Sequence, residues 1–400
     1  MDFRLTPEQE ALKKEFEEFF EECFKSAPPG WTGLGGMDDM LSSKEGWTFH
    51  REIARKLGAK GWLSLTWPKE YGGLGYSLLE QFIFNEVSGY SRSPGVDVLA
   101  VDILASVLLA MGNEEQKKKH LPGIASGSVI WAQGWSEPDA GSDLASLKTR
   151  AVRKGDEYII DGQKIWSSQA HLSDWCHMLV RTDPTQKHTR GLSYILVDLK
   201  TPGITINPIP NMCGHGEFNE IFFDNVPVPA ENMVGEENKG WLVTRFAMDF
   251  ERISFVREFG RQKRNIEDLV ALCNKAKRNG EPLAKDPLVR NRLAELAGKA
   301  EVGLALTRQV AWAQYKGKFT AADASAIKIW SGELALEVVQ LASRILGSYT
   351  QIKEGSKWAP FNGDFERLCQ TWHAWNIAGG TPEIQRNIVA WEGLGLPRVG

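Results

Sequence analysis

Three stretches of this chain hold side chains whose types and spacing could do chemistry. The first is AMDFERISF, residues 247–255, where Glu251 and Arg252 stand side by side. On a helix, Glu251 has Ala247 and Met248 at i−4 and i−3, and Ser254 and Phe255 at i+3 and i+4. A solvated glutamate normally has polar neighbours at those spacings. These mostly apolar ones predict a carboxylate that faces a partly dry cavity. Burial raises a carboxylate's pKa, which suits a group that must take a proton from a carbon acid. The plainer alternative is a surface glutamate paired with its arginine.

The second stretch is GWSEPDAGSDLASLKTRA, residues 134–151. Small residues at Ala140, Gly141 and Ser142 let backbone N–H groups come close to a phosphate oxygen, as in anion-binding nests. SEPDAGSD is also rich in turn formers, so a plain surface turn competes with that reading. The third is DGQKIWSSQAHLSDW, residues 161–175, where Trp166 either meets a ligand or fills a β core, the common fate of a tryptophan. Asp97 and Asp102 lie in the apolar segment VDVLAVDILASVLL. They could serve a polar or cyclic substrate, though helix capping and ordinary hydrogen bonding are the plainer roles. His171, Cys176, His177, Cys213 and His215 cluster in HLSDWCH and CGH, but no spacing matches a metal-ligand pattern, so no metal is expected.

These groups need a frame. Residues 1–127 read as helices. TPEQEALKKEFEEFFEECF opens on Thr6 as an N-cap, with Pro7 in the first turn and Leu12, Phe16, Phe19, Phe20 and Phe24 at helical spacing. APPGWTGLGGMDD reads as a loop. LLEQFIFNEVSGY and VDVLAVDILASVLLAMG are further helices, and NEEQKKKHLP reads as a solvated helix end. Residues 128–235 switch to short β-rich runs between turn residues: EYIIDGQKIWSS, WCHMLVRT, LSYILVDL, ITINPIP and EIFFDNVPVP. Residues 236–400 return to the helical period in GWLVTRFAMDFERISFVREF, DPLVRNRLAELAGKAEVGLALTRQVAWAQ, ASAIKIWSGELALEVVQLASRIL and TPEIQRNIVAWEGL. NKAKRNGEPLAKDP is a polar connection between two of these.

At 400 residues the chain is too long for one small core. With 47 Lys and Arg against 51 Asp and Glu, it has no basic footprint for nucleic acid. The N-terminus lacks the apolar segment of a signal peptide, no run of about 18 apolar residues predicts a membrane span, and five scattered cysteines fit reduced thiols. The expected location is cytoplasmic. No GxGxxG or GxxxxGK[ST] is present, which leaves Rossmann and P-loop readings unsupported.

Four stretches, in order, resemble the acyl-CoA dehydrogenase family: residues 134–151, residues 161–175, EIFFDNVPVPAENMVGEENKGW (220–241) and GGTPEIQRNIVA (379–390). The resemblance covers nearly the whole chain. It implies an α+β fold with an N-terminal α-helical domain, a middle antiparallel β domain and a C-terminal four-helix-bundle domain. It also implies FAD. Gln133, Trp135 and Ser136 would line the flavin ring, Gly141 and Ser142 would sit near the pyrophosphate, Trp166 would stack near the isoalloxazine, and Ser168 would meet its N5/O4 edge. SRILGSYTQ resembles the segment that contacts the adenine half in a neighbouring subunit, through Arg344, Gly347 and Ser348. Thr381 and Glu383 would lie near the adenosine, Glu383 standing where many members have Gln. After Arg261 the chain departs from the family pattern, and no contacts are carried over there.

Many members place the catalytic glutamate where this chain has Gly379. The isovaleryl-CoA and long-chain enzymes instead carry it in an ER pair after the β domain, which Glu251 and Arg252 match. Glu251 is thus the expected base, with Ser142, Asp249, Arg252 and Gly379 toward the substrate. The resemblance implies α,β-dehydrogenation of an acyl-CoA thioester, of branched, cyclic or otherwise bulky acyl group. Electrons would go to an electron-transfer flavoprotein, and the chain would form a homotetramer or homodimer. An enoyl-CoA reductase, a flavin oxidase or monooxygenase on the same fold, and a non-catalytic subunit of a hetero-oligomer are the alternatives.

Overall fold

A computed structural model describes residues 4–34, 36–214 and 216–398, and the side chains of all of these except Asp38 and residues 249–253. The chain begins with helices α1 (Pro7–Phe24), α2 (Met37–Leu41), α3 (Lys44–Ala59) and α4 (Leu78–Tyr90). A π-helical turn, Leu99–Leu104, then runs into α5 (Ala105–Met111), and α6 (Glu114–Ala125) follows. Eight strands come next: β1 (Trp131–Gly134), β2 (Arg150–Lys154), β3 (Glu157–Lys164), β4 (Trp175–Arg181), β5 (Leu192–Asp198), β6 (Ile204–Ile209), β7 (Phe218–Pro229) and β8 (Met233–Val234). The rest is α7 (Gly240–Glu251), a 3-10 turn Arg252–Phe255, α8 (Val256–Lys275), a small hairpin of β9 (Lys277–Arg278) and β10 (Glu281–Pro282), α9 (Pro287–Tyr315), α10 (Ala321–Leu346), α11 (Asp364–Ile377) and α12 (Pro382–Ile388).

Local chemistry explains most of these boundaries. Thr6 caps α1 in a capping box: its hydroxyl accepts from Gln9 N (3.3 Å) while Gln9 Oε1 accepts from Thr6 N (3.1 Å). Ser77 and Glu80 do the same for α4. NEEQKKKHLP is the start of a helix and not its end. Asn113 accepts from Gln116 N (2.9 Å), and the charged residues form the first turns of α6, whose Gln116, His120, Leu121 and Ile124 are buried. GWLVTRFAMDFERISFVREF is two helices, with the 3-10 turn between them beginning just after Glu251. Helices α2, α3 and α11 are additional to the sequence reading, and α2 takes in Met37, Asp38 and Asp39, the end of the stretch read as a loop. The signal of α3 and α11 is nevertheless present: Ser43 caps α3 ahead of Phe49, Ile53 and Leu57, and Phe365, Leu368 and Trp372 recur at helical spacing in α11.

By contact density the chain divides into two compact units, each discontinuous in sequence: Met1–Asp39, Tyr76–Pro94 and Arg252–Gly400 in one, Met40–Gly75 and Gly95–Glu251 in the other. In the first, α8, α9, α10 and α11 share one core that includes Phe259, Leu269, Leu296, Leu304, Leu334, Val338 and Phe365. Helix α4 packs on α8 through two glycines. A Cβ on Gly89 would collide with the backbone of Arg257, and one on Gly260 with the backbone of Glu86.

In the second unit the strands form one sheet in the order β6-β7-β3-β2-β4-β5-β8, with β1 beside β4. Alternate residues of β3, β4, β5 and β7 supply its core: Tyr158, Ile160, Cys176, Met178, Val180, Ile195, Val197, Ile221 and Phe223. The pairing is antiparallel except around β4, which runs parallel to β1 and meets β2 in parallel register at Arg150–Arg181. Parallel neighbours need a long connection, and residues 135–174, with β2 and β3 among them, supply the one between β1 and β4. Among the described residues no helix is long and apolar enough to cross a membrane.

Candidate active site

Strand β1 carries Gln133 toward the edge where the chain leaves the sheet, with Gln133 in register with His177 of β4. The following loop is pinned from beneath. Glu137 and Ala140 exchange backbone hydrogen bonds of 3.0 Å. The Lys164 ammonium, fully buried at the end of β3, donates to Trp135 O (3.0 Å) and Glu137 Oε1 (2.8 Å). Glu137 also accepts from Lys148 N (2.6 Å) and Thr149 N (2.8 Å), which closes the loop at its far end. Burial works against charge on both partners. In Glu137 the Lys164 charge and these bonds outweigh it and hold the carboxyl below the usual range, while Lys164 is lowered mainly by its burial.

The turn after β3 meets this loop directly, because Ile165 N donates to Ser136 O (3.0 Å). Asn219 braces the turn: its backbone oxygen accepts from Ser167 N (3.1 Å), and its Nδ2 donates to Ser167 O (2.9 Å). Trp166 does not fill the β core. It has left-handed backbone (φ 61°), is 56% exposed, and meets Phe218 edge-to-face at 6.0 Å. Ser168 is half-buried beside it. Trp135 is buried, its ring edge-on to His177 at 6.2 Å. The His177 imidazole, hydrogen-bonded to Tyr194 (2.5 Å), is pushed down to about 3 by burial, so it is neutral. Among the described residues, Gln133 Nε2, Trp135 Nε1 and Ser167 Oγ are buried and have no hydrogen-bond partner.

The loop tip differs from the nest expected over Ala140–Ser142, since the Ala140 N–H is already used by Glu137. Gly141 and Ser142 are exposed, a Cβ on Gly141 would meet open space, and among the described residues their N–H groups make no bond within the chain. Gln133, Trp135, Ser136, Trp166 and Ser168 are thus brought to one sheet edge, with Gly141 and Ser142 at the tip of the same loop. The side chains of Asp249, Glu251 and Arg252 lie outside the described residues, as does His215. Among the described residues no group of three metal-ligating side chains exists. Burial pushes the Cys176 thiol up to about 12.

The remaining candidates lie in the helical unit. Arg344 ends α10 and is exposed, as are Gly347, which caps that helix at φ 58°, and Ser348. Thr381 caps α12 by accepting from Ile384 N (3.3 Å), and Glu383 is exposed in the first turn. Gly379 and Gly380 both have left-handed backbone, φ 67° and 91°. Gln385, buried, fastens this turn by donating to Gly379 O (2.8 Å). Glycine at 379 therefore has a backbone reason that is independent of any acyl group.

Glu137, Lys164, Gln169, Asn219 and Gln385 hold these loops and turns in place through hydrogen bonds that the sequence reading missed. Only Lys164 left a trace: it falls in phase with the buried Tyr158 and Ile160 of its strand, where a lysine calls for a partner.

Helices, then a sheet, then helices again is the three-domain order of one family of oxidoreductases. The chain belongs to the acyl-CoA dehydrogenase family, whose N-terminal, middle and C-terminal domain models match residues 6–128, 132–226 and 238–394. It is 34% identical to acyl-CoA dehydrogenase FadE26 of Mycobacterium tuberculosis over 421 aligned positions, which span 100% of this chain and 99% of that protein. Among solved structures it resembles the Tcur3481-Tcur3483 steroid ACAD (TM-score 0.87, 35% identity, 100% of each chain). It also resembles the ChsE4-ChsE5 complex from Mycobacterium tuberculosis (TM-score 0.85, 33% identity, 100% of each chain). Members of this family generally bind FAD.

Proposed function

We propose that this chain is an FAD-dependent dehydrogenase that converts a bulky, branched or ring-bearing acyl-CoA thioester to its 2,3-enoyl-CoA and passes the electrons to an electron-transfer flavoprotein. The observation that carries the reading is the meeting of the two aromatic loops at one sheet edge. The similarity to a steroid ACAD supports the bulky acyl group.

The residues present suit FAD. Gln133 Nε2 and Trp135 Nε1 are buried donors with no acceptor, and Ser167 Oγ is a third unpaired polar atom. An isoalloxazine offers acceptors along its pyrimidine and N5 edges. Trp166 presents a ring for stacking, Ser136 and Ser168 would bond the ring edges, and the N–H groups of Gly141 and Ser142 would take the pyrophosphate. FAD, when bound, supplies the hydride acceptor. Glu251 takes the α-proton of the thioester, with Asp249 and Arg252 at the CoA end, Ser142 reaching the substrate, and Gly379 leaving room near the acyl group. Arg344, Gly347, Ser348, Thr381 and Glu383 would complete the adenosine end of a site in a neighbouring subunit.

The test is a screen of acyl-CoA thioesters of graded bulk for bleaching of the flavin absorbance. Ring-bearing thioesters are expected to bleach it and straight short chains to fail; the reverse order overturns the substrate assignment. Trp166→Ala should leave the stability of the FAD-free protein within about 0.5 kcal/mol of the parent, because the ring is exposed. FAD binding should weaken about two- to twelvefold, the range of one aromatic contact, read by flavin fluorescence titration. A second arrangement, a hetero-oligomer with this chain as one of two different subunits, is favoured by the similarity to the ChsE4-ChsE5 complex and by the departure from the family pattern after Arg261. FAD in every chain of an assembly made only of this protein would exclude it.

A further inference from the structure

We propose that Asp97 and Gln169 are positioning residues of the flavin site, a clamp that holds the turn bearing Trp166 and Ser168 against the strand bearing Gln133 and Trp135. The inference rests on the flavin reading above.

Gln169 ends the Trp166–Ser168 turn. Its backbone is left-handed (φ 51°), a region that residues with a Cβ rarely enter, and its side chain is buried. Its amide reaches back to two acceptors, Asp97 Oδ1 (3.2 Å) and Trp131 O (3.2 Å). Asp97 Oδ2 accepts from Trp131 N (3.1 Å). The pair therefore grips both backbone groups of the first residue of β1, two positions before Gln133 and four before Trp135. The same carboxylate also fixes the start of the π-helical turn through Ala100 N (3.4 Å). Gln169 N donates to Glu217 O (2.9 Å), so the turn is held from both sides. Moving either residue would shift the two flavin-lining segments relative to each other, although neither lines the ring.

The clamp contains one ionisable acceptor. Burial pushes the Asp97 carboxyl up to about 6 despite its donors. Among charged groups, Arg51 of α3 is attracted to both Asp97 and Asp174 and repelled by its helix neighbour Arg55; Asp174 is itself paired with Lys200 (3.2 Å), and Asp102 follows Asp97 in the chain on the π-helical turn. His171, bonded to Asn219 (2.8 Å), stands on the other side of the turn. Protonating Asp97 removes an acceptor from Trp131 or Gln169. The clamp therefore holds above about 6 and loosens as pH falls through it.

The experiment compares the parent, Asp97→Asn and Gln169→Asn for FAD dissociation constant across the pH range around 6, with thermal melts of the FAD-free proteins. Asparagine at 169 tolerates the left-handed backbone but is one methylene too short to span to Asp97. The parent is expected to bind FAD more weakly as pH falls. Both variants should bind about ten- to a hundredfold more weakly than the parent above the midpoint, the worth of a hydrogen bond to a charged group. Asp97→Asn should also lose the pH dependence, which a merely structural defect would not remove. If Asp97→Asn does not fold, Gln169→Asn decides by its affinity. Parent-like affinity in a folded variant, or a parent affinity flat through this range, overturns the clamp. A parent that takes up no FAD at all overturns the flavin reading and the clamp with it.

Discussion

Glu251→Gln is expected to keep FAD and acyl-CoA bound while the rate of flavin bleaching by substrate falls by more than the ~10²–10⁴-fold typical of losing a general base. The substitution keeps the shape and removes only the proton acceptor. The effect should exceed the usual range because the α-proton of a thioester is weakly acidic, so little of the reaction survives without a base. Residue 251 is the last of α7, at the junction with the 3-10 turn that leads into α8. Rapid-mixing absorbance at the flavin band measures the effect directly. Bleaching at the parent rate would move the base elsewhere. Asp97 and Asp102 would then be the next to test, by the same substitution to the amide. A carboxylate restored by Gly379→Glu is expected to rescue poorly: at φ 67° a side chain adds about 1–2 kcal/mol of backbone strain.

Lys164→Met is expected to lower the stability of the parent by about 3–5 kcal/mol, the cost of leaving one member of a buried ion pair without its partner. The Glu137 carboxylate would keep the N–H groups of Lys148 and Thr149 but lose its counter-charge. The double variant Glu137→Gln, Lys164→Met should recover much of the loss, because no buried charge remains. The pH dependence has a definite sign. Glu137 is held below the usual carboxylate range, so its contribution is present above the unfolded value and lost as pH falls through the folded one. The gap between parent and double variant should therefore narrow in acid. Denaturant or thermal midpoints of the three proteins check this. A single variant as stable as the parent would mean that the pair does not pin the loop.

Much of the architecture is legible in the residues. The helix starts at Thr6 and Ser77 follow from capping residues. The strands β3 to β7 follow from short β-rich runs between turn residues, and the order of helical, β and helical segments follows from the change of period. The aromatic and small residues of the two loops were identifiable as a set because their stretches resemble those of one family in one order. Trp166 was harder. A tryptophan beside a strand usually packs inward, and only its left-handed backbone turns the ring out.

Capping, periodicity and turn chemistry act within about four residues, so the sequence by itself determined most of the elements and their order, and its ordered motifs determined the family. Contacts between distant segments depend instead on which close approaches and which desolvated charges the whole chain can satisfy at once. For that reason only the tertiary structure decided that Gly89 and Gly260 let α4 pack on α8, that Lys164 neutralises Glu137 beneath the loop, and that Gln385 fastens the Gly379 turn. The same holds for Gln169, whose amide closes on Asp97 across residues that no local rule connects.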